Sequence, residues 1–178
     1  MNDTRIPKII HYIWLGTRPL DKVSQKCMKT WGKYLPDYEV KRWGDDECRD
    51  IINSNLYARQ AYEAKKYAFV SDYLRVYILY NYGGVYMDTD VKMFKSIDRF
   101  LVHGAFTCFE NKTQIPTALM ASAKGNQWMK ALLDYYDDKS FIDADGHMDI
   151  TTNVDAITNV SLGMGFVPNA QIQVFSDD

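Results

Sequence analysis

The chain has few cysteines, no long apolar run and no excess of basic charge. Cys27, Cys48 and Cys108 are odd in number and far apart, so neither the close pairing of a zinc site nor a disulfide framework is present. Reduced thiols in a cytoplasmic protein are expected. No stretch approaches the roughly 18 to 20 apolar residues that span a bilayer, so membrane contact is expected to be at most peripheral, at the inner face. The N-terminal MNDTRIPKIIHYIWLG carries an apolar run, but Pro7, Lys8 and His11 interrupt it and no small-residue cleavage pattern follows. It does not read as a signal peptide. A formal net charge of -2 and a pI near 5.9 give no general reason to hold a polyanion, because counterion release needs a clustered basic surface. Nucleic acid is not an expected partner.

What is present is one domain's worth of core: 178 residues, 47% hydrophobic, enough for a single domain over residues 1–178. Thirteen tyrosines and four tryptophans suit an aromatic-lined cleft and an ordinary core alike. Ile6 to Leu15 is rich in β-branched and aromatic residues and stops at Gly16, which predicts a buried first strand. A helix over Val23 to Lys33, a strand over Tyr38 to Trp43, and a helix capped by Asp45 or Asp46 and running through Ile52 follow. Helical spacing of Ala64, Tyr67, Ala68, Leu74 and Ile78 predicts one long helix from about Ala58 to Tyr82, stopped by Gly83-Gly84. Val85 to Met87 is a short buried strand. Strands over Ala105 to Glu110, Thr117 to Ala121 and Ile172 to Phe175 are expected, with an amphipathic helix from Asn126 through Tyr136. Asp137 to Asp149 reads as an acidic surface loop. The alternation predicts an α/β fold with a mainly parallel sheet flanked by helices.

Most of the chemistry lies between Ala68 and Val91. In Gly83-Gly-Val-Tyr-Met-Asp-Thr-Asp90 a buried strand delivers two carboxylates where its pairing should end, and ligands of open α/β sheets collect at the carboxyl ends of strands. In an extended segment residues i and i+2 share a side, so Asp88 and Asp90 can address one hard cation, Mn²⁺ or Mg²⁺. Such an ion completes its shell with substrate phosphates and offsets charge on a departing diphosphate. The acids could equally cap a turn. An EF-hand starting at Asp88 is excluded, because Met93 and Arg99 stand where Gly and Glu are needed. An aspartyl-nucleophile phosphatase of the haloacid dehalogenase type fits less well, because Lys92 fills its motif's last place. One helix upstream, Asp72 and Arg75 are three apart and share a face, as a surface salt bridge also would.

In order and spacing these segments resemble the DXD-motif glycosyltransferase family that includes the yeast outer-chain initiation mannosyltransferase and bacterial capsular polysaccharide transferases. The resemblance starts at Ile6-Pro-Lys-Ile-Ile-His-Tyr-Ile-Trp-Leu-Gly16, continues through Trp31, Pro36-Asp-Tyr38 and Trp43, and peaks at Ala68-Phe-Val-Ser-Asp-Tyr-Leu-Arg75 and Gly83 to Asp90. A more distant one links the same segments to the glucosylating domains of large clostridial toxins. The resemblance implies a GT-A-type, Rossmann-like fold and a divalent metal. It also implies retaining transfer of a hexose from a nucleotide diphosphate sugar, UDP-hexose ahead of GDP-mannose, to a glycan or lipid-linked glycan acceptor in capsular or other surface polysaccharide synthesis. It further implies that Trp14 stacks on the base, Tyr86 lines the nucleoside pocket, and Asp72 and Arg75 hold the donor sugar. Asp88 would touch sugar or ribose as well as metal, and Asp90 would be the main metal ligand. His11 reads as a structural group rather than a general base. Val70, Tyr73, Tyr77 and Tyr80 read as packing rather than an acceptor platform. The family's usual C-terminal tail is expected to be missing, which leaves a nucleotide-sugar-binding module without turnover as an alternative.

Overall fold

A computed structural model describes residues 5–108, 111 and 114–165. The order of elements is β1 (Ile9–Ile13), α1 (Lys22–Tyr34), β2 (Glu39–Trp43), α2 (Asp45–Ser54), α3 (Leu56–Glu63), α4 (Tyr67–Tyr82), β3 (Gly84–Met87), β4 (Ala105–Thr107), β5 (Leu119–Ser122), α5 (Gln127–Asp134) and α6 (Asn153–Gly163). The sheet runs β2-β1-β3-β5-β4. β1 pairs in parallel with β2 and β3, whereas β5 pairs antiparallel with β3 and β4. Four of the five strands therefore point one way and β5 alone is reversed, giving the mainly parallel α/β sheet expected, with a hairpin at one side.

The period of two along each strand sorts side chains into two apolar layers. Ile10, Val85, Met87, Phe106 and Ala121 face one layer with Trp31 of α1 and Leu35 just beyond its end. Ile13, Tyr86, Ala105 and Met120 face the other, beneath α4. α4 is apolar nearly all round and buries Val70, Tyr73, Leu74, Arg75, Val76, Ile78 and Leu79, as a helix enclosed on most sides must. Val70 and Tyr73 are core residues, and Tyr77 and Tyr80 pack against them.

Several boundaries differ from the sequence expectation for identifiable reasons. The long helix from Ala58 is two helices, because Lys65 adopts a left-handed φ of 57°. Lys66 N–H then donates to Ala61 O and Lys65 N–H to Tyr62 O, closing α3 as a Schellman motif that normally recruits glycine. α2 is capped at Gly44, whose amide donates to the Glu47 carboxylate, and not by Asp45 or Asp46. Asp45 instead accepts from Gly16 N–H and from the Tyr62 hydroxyl, tying the loop after β1 to α3. The strand expected to reach Glu110 ends at Thr107, and the one expected over Thr117 to Ala121 covers Leu119–Ser122. α6 is an element without a sequence forecast. Asp137 to Asp149 is the surface loop expected except that Phe141 is fully buried in the core; in its exposed part Asp143 accepts from the amides of Asp145 and His147. The expected strand over Ile172 to Phe175 lies outside the described residues.

His11 is fully buried beneath the junction of α4 and β3. Trp43 Nε1–H donates to its Nδ1 at 3.1 Å and its Nε2–H donates to Gly83 O at 2.8 Å, so the ring is neutral with its proton on Nε2. Burial lowers its pKa to about 4, against the opposing pull of the Gly83 carbonyl. This is the structural role read from the sequence.

Candidate active site

The site is built where β3 leaves the sheet. Gly84 has φ 106°, and a Cβ there would lie 2.7 Å from Ile9 O and 2.9 Å from His11 Nε2, so only glycine lets the chain enter β3 this close to β1. From that fixed start Tyr86 points to the α4 layer and Asp88 emerges at the strand's end. Asp88 N–H still donates to Ala118 O at 2.8 Å, which holds the acid against the hairpin side of the sheet.

Arg75 joins the acids. Its guanidinium lies 3.0 Å from Asp72 Oδ1 and 3.4 Å from Asp88 Oδ1. It also donates to Thr117 O at 2.8 Å and to Ser71 O at 3.1 Å, and stacks over the Tyr86 ring at 4.6 Å. The Tyr86 hydroxyl completes the circuit by donating to Asp88 Oδ1 at 2.7 Å. Arg75 is only 6% exposed, so this is a buried ion-pair network and not the surface salt bridge weighed from spacing alone. Burial opposes the guanidinium charge, but Tyr86, Asp72 and Asp88 more than offset it and raise the Arg75 pKa. Burial also holds the Tyr86 phenol far above its ordinary range, with Asp88 pushing the same way, so it stays a hydrogen-bond donor.

Asp72 is the most perturbed acid of the group. Burial pushes it up to about 6, against the pull of Arg75 and of Asn153, while Asp88 adds to the rise. Both of its protein partners, Arg75 Nη2 and Asn153 Nδ2 at 2.9 Å, meet Oδ1. Oδ2 has no partner among the described residues, and the Asp72 side chain keeps 15% of its surface exposed, so it can accept from a ligand hydroxyl. Asn153 is the site residue that sequence reasoning missed. It opens α6 after the Thr152 cap, and Tyr136 reaches its Oδ1 at 3.4 Å. A capping signal, Thr152 with Asp155 three residues on, was available to place the helix, but nothing in the sequence ties it to Asp72.

The acidic motif itself turns. Val91 N–H donates to Asp88 O at 3.0 Å, so Asp88 to Val91 form a turn and the extended i, i+2 geometry assumed for Asp88 and Asp90 does not hold. Asp90 is exposed and engages no described residue. Thr89 is anchored instead, its hydroxyl 3.0 Å from that of Ser24 on α1. The oxygens left open, Asp88 Oδ2 and the Asp90 carboxylate, are the hard donors that Mn²⁺ or Mg²⁺ takes, and two carboxylates leave coordination places for phosphate and water.

Trp14 follows β1, outside the ion-pair network. Its indole N–H donates to Arg18 O at 2.6 Å, bracing the loop. Beside it Leu15, Gly16, Thr17, Arg18, Lys65 and Tyr67 line a cleft of about 400 Å³. Lys65 and Tyr67 reach it because α3 and α4 break between them.

A mainly parallel sheet with one reversed strand and an acidic turn at the end of a buried strand, opposite an Asp-Arg pair on the preceding helix, is consistent with the GT-A class of α/β fold. A solved structure titled PaToxG Glycosyltransferase superposes with a TM-score of 0.68 over 90% of this chain and 70% of that one, at 20% identity. Residues 21–107 match the family described as glycosyltransferase sugar-binding region containing DXD motif, and the chain belongs to that DXD-motif glycosyltransferase family. It is 31% identical to inositol phosphoceramide mannosyltransferase 3 of Schizosaccharomyces pombe, over 70% of this chain and 35% of that protein. It is also 30% identical to the initiation-specific alpha-1,6-mannosyltransferase of Candida albicans, over 53% of this chain and 27% of that protein. The chain thus spans about a third of the length of these curated fungal relatives.

Proposed function

We propose that the protein transfers a hexose from a nucleotide diphosphate sugar to a glycan or lipid-linked glycan, with retention of configuration and with Mn²⁺ or Mg²⁺. The observation that carries the reading is the convergence of Asp72, Arg75, Tyr86 and Asp88 at the end of β3, next to an acidic turn left open to solvent. Near neutral pH Asp72 is ionised, and its Oδ2 accepts a sugar hydroxyl. Arg75, fixed by four polar partners and the Tyr86 ring, supplies positive charge that needs no reorganisation as negative charge develops on the donor. Tyr86 holds Asp88 Oδ1 in place and leaves Oδ2 for ribose, sugar or metal. A cation at Asp88 and Asp90 would act as a Lewis acid on the departing diphosphate. Trp14 would stack on the base at the mouth of the neighbouring cleft.

UDP-hexose, which the sequence resemblance puts ahead, and GDP-mannose, its second choice, are both donors to test; the fungal relatives are named mannosyltransferases. Relatives named for inositol phosphoceramide support a lipid-linked acceptor, while a role in capsular or other surface polysaccharide synthesis rests on the sequence resemblance. An aspartyl phosphatase would need Asp88 free as a nucleophile, and its engagement by Tyr86 and Arg75 suits electrostatic support better. Calorimetric titration of UDP, GDP and their hexose conjugates, with Mn²⁺ and then with EDTA, tests the reading. Binding that needs both metal and Asp90 supports it, and consumption of the conjugate separates a transferase from a binding module. Metal-independent binding, or none, would refute the donor site.

A further inference from the structure

Composition averages the charge of this chain to near neutrality, but the fold segregates it. Lys22, Lys26, Lys29 and Lys33 recur at intervals of four, three and four along α1 and fall on one narrow stripe. Ser24, Cys27 and Trp31 form the opposite, buried face, so the lysines point to solvent and all four are exposed. α1 contains no carboxylate. None of the four lysines makes an ion pair with a described carboxylate. The nearest acids along the chain are at the two ends: Asp21 is spent on the amides of Val23 and Ser24, and Asp37 pairs with Lys8.

A second strip of the same character runs against this helix. Trp31 Nε1–H donates to Val91 O, and Met93 N–H donates to the Thr30 hydroxyl, so the segment leaving the acidic turn is fastened along α1. That segment exposes Lys92, Phe94 and Lys95, with the Lys92 ammonium 5.0 Å over the Phe94 ring. Phe94 is 67% exposed and Val23, one face-repeat before Thr30, is 62% exposed. Large apolar side chains standing out among unpaired lysines combine the two signals that hold a protein at an anionic lipid interface: apolar insertion and attraction to headgroups. Nucleic-acid surfaces favour arginine forks and stacked aromatics, and α1 carries no arginine.

We infer that the lysine face of α1, with Val23 and Phe94 beside it, docks the protein peripherally on an anionic phospholipid surface. The inference goes beyond the transferase reading and does not depend on it. Ser24, on the buried face of α1, meets Thr89 of the acidic turn, so docking would hold that turn one helix diameter, ~10 Å, from the lipid surface.

The test is co-sedimentation of the protein with phosphatidylcholine vesicles, with and without about a third phosphatidylserine, at low and at about 0.5 M salt. Binding is expected to the anionic vesicles alone and to be lost at high salt. Replacing Lys22, Lys26, Lys29 and Lys33 together by Glu should weaken it on the order of a hundredfold or more, and Phe94→Ser by roughly tenfold. The quadruple Gln variant keeps the helix uncharged, and thermal melts show that each variant is folded. Equal binding to neutral vesicles, no binding at all, or full binding by the folded quadruple variants would overturn the inference. So would equally tight capture of a homopolymeric RNA together with indifference to Phe94→Ser, the mark of a general polyanion patch.

Discussion

The two acids that begin and end the candidate site are in opposite states. Asp72 is buried on α4, shared between Arg75 and Asn153, and shifted to about 6. Asp90 stands in water on a turn and touches nothing described. One half of the site is organised by the protein before any ligand arrives, while the other half is left for a ligand to organise. Preorganised charge costs folding stability and is ready for the reaction, whereas an open carboxylate costs the fold nothing and acts only when it finds its cation.

Substitutions can break or sharpen this contrast. The largest effect is expected from Arg75→Met, which strands Asp72 and Asp88 without their shared cation. About 3 to 5 kcal/mol of unfolding free energy should be lost in denaturant titration, and a loss near zero would mean that the network is not buried in solution. Asn153→Ala removes a hydrogen bond to a charged partner and should cost about 1.5 to 3 kcal/mol, while moving the acid limb of any pH-rate profile upward because Asp72 loses a group that favours its ionised form. The Asp72 titration itself gives a signed slope. A carboxyl raised in the native state stabilises it below the unfolded value near 3.8, and that stability is lost as pH climbs through about 6. Asp72→Asn should therefore gain on the parent protein between pH 4 and 6.5, by at most about 1.4 kcal/mol per pH unit. A constant offset across that range would show that Asp72 is not perturbed. Smallest for the fold is Asp90→Ala, expected to leave the melting midpoint within roughly 1 °C while removing metal-dependent nucleotide binding.

The same contrast explains what was legible in the sequence. Strand order of apolar residues, the double glycine and the Asp-x-Asp placed the sheet and the acidic turn, because short-range patterning decides them. Asp72 and Arg75 were found by their spacing, but burial, which makes them a network, depends on α5 packing against α4 and on Asn153 of α6 reaching Asp72. Lys65 carries no turn chemistry, so the break that brings it to the cleft beside Trp14 was invisible. Asn153 lies 81 residues from the carboxylate it holds, and a single sequence gives no signal for a contact at that range. Extension and turning at Asp88 both stayed open, because an Asp at a strand's end is compatible with either.

Gly84 has one more consequence. Its missing side chain does no chemistry, yet the contact it permits with Ile9 and His11 fixes where β3 begins and so where Asp88 and Asp90 end up. In a library randomised from position 83 to position 90, selection for folding alone should recover glycine at 84 and accept many residues at 90, while selection for nucleotide capture should recover both. The glycine is thus the motif's punctuation and the aspartates its message, and only the first has to be spelled correctly for the protein to exist.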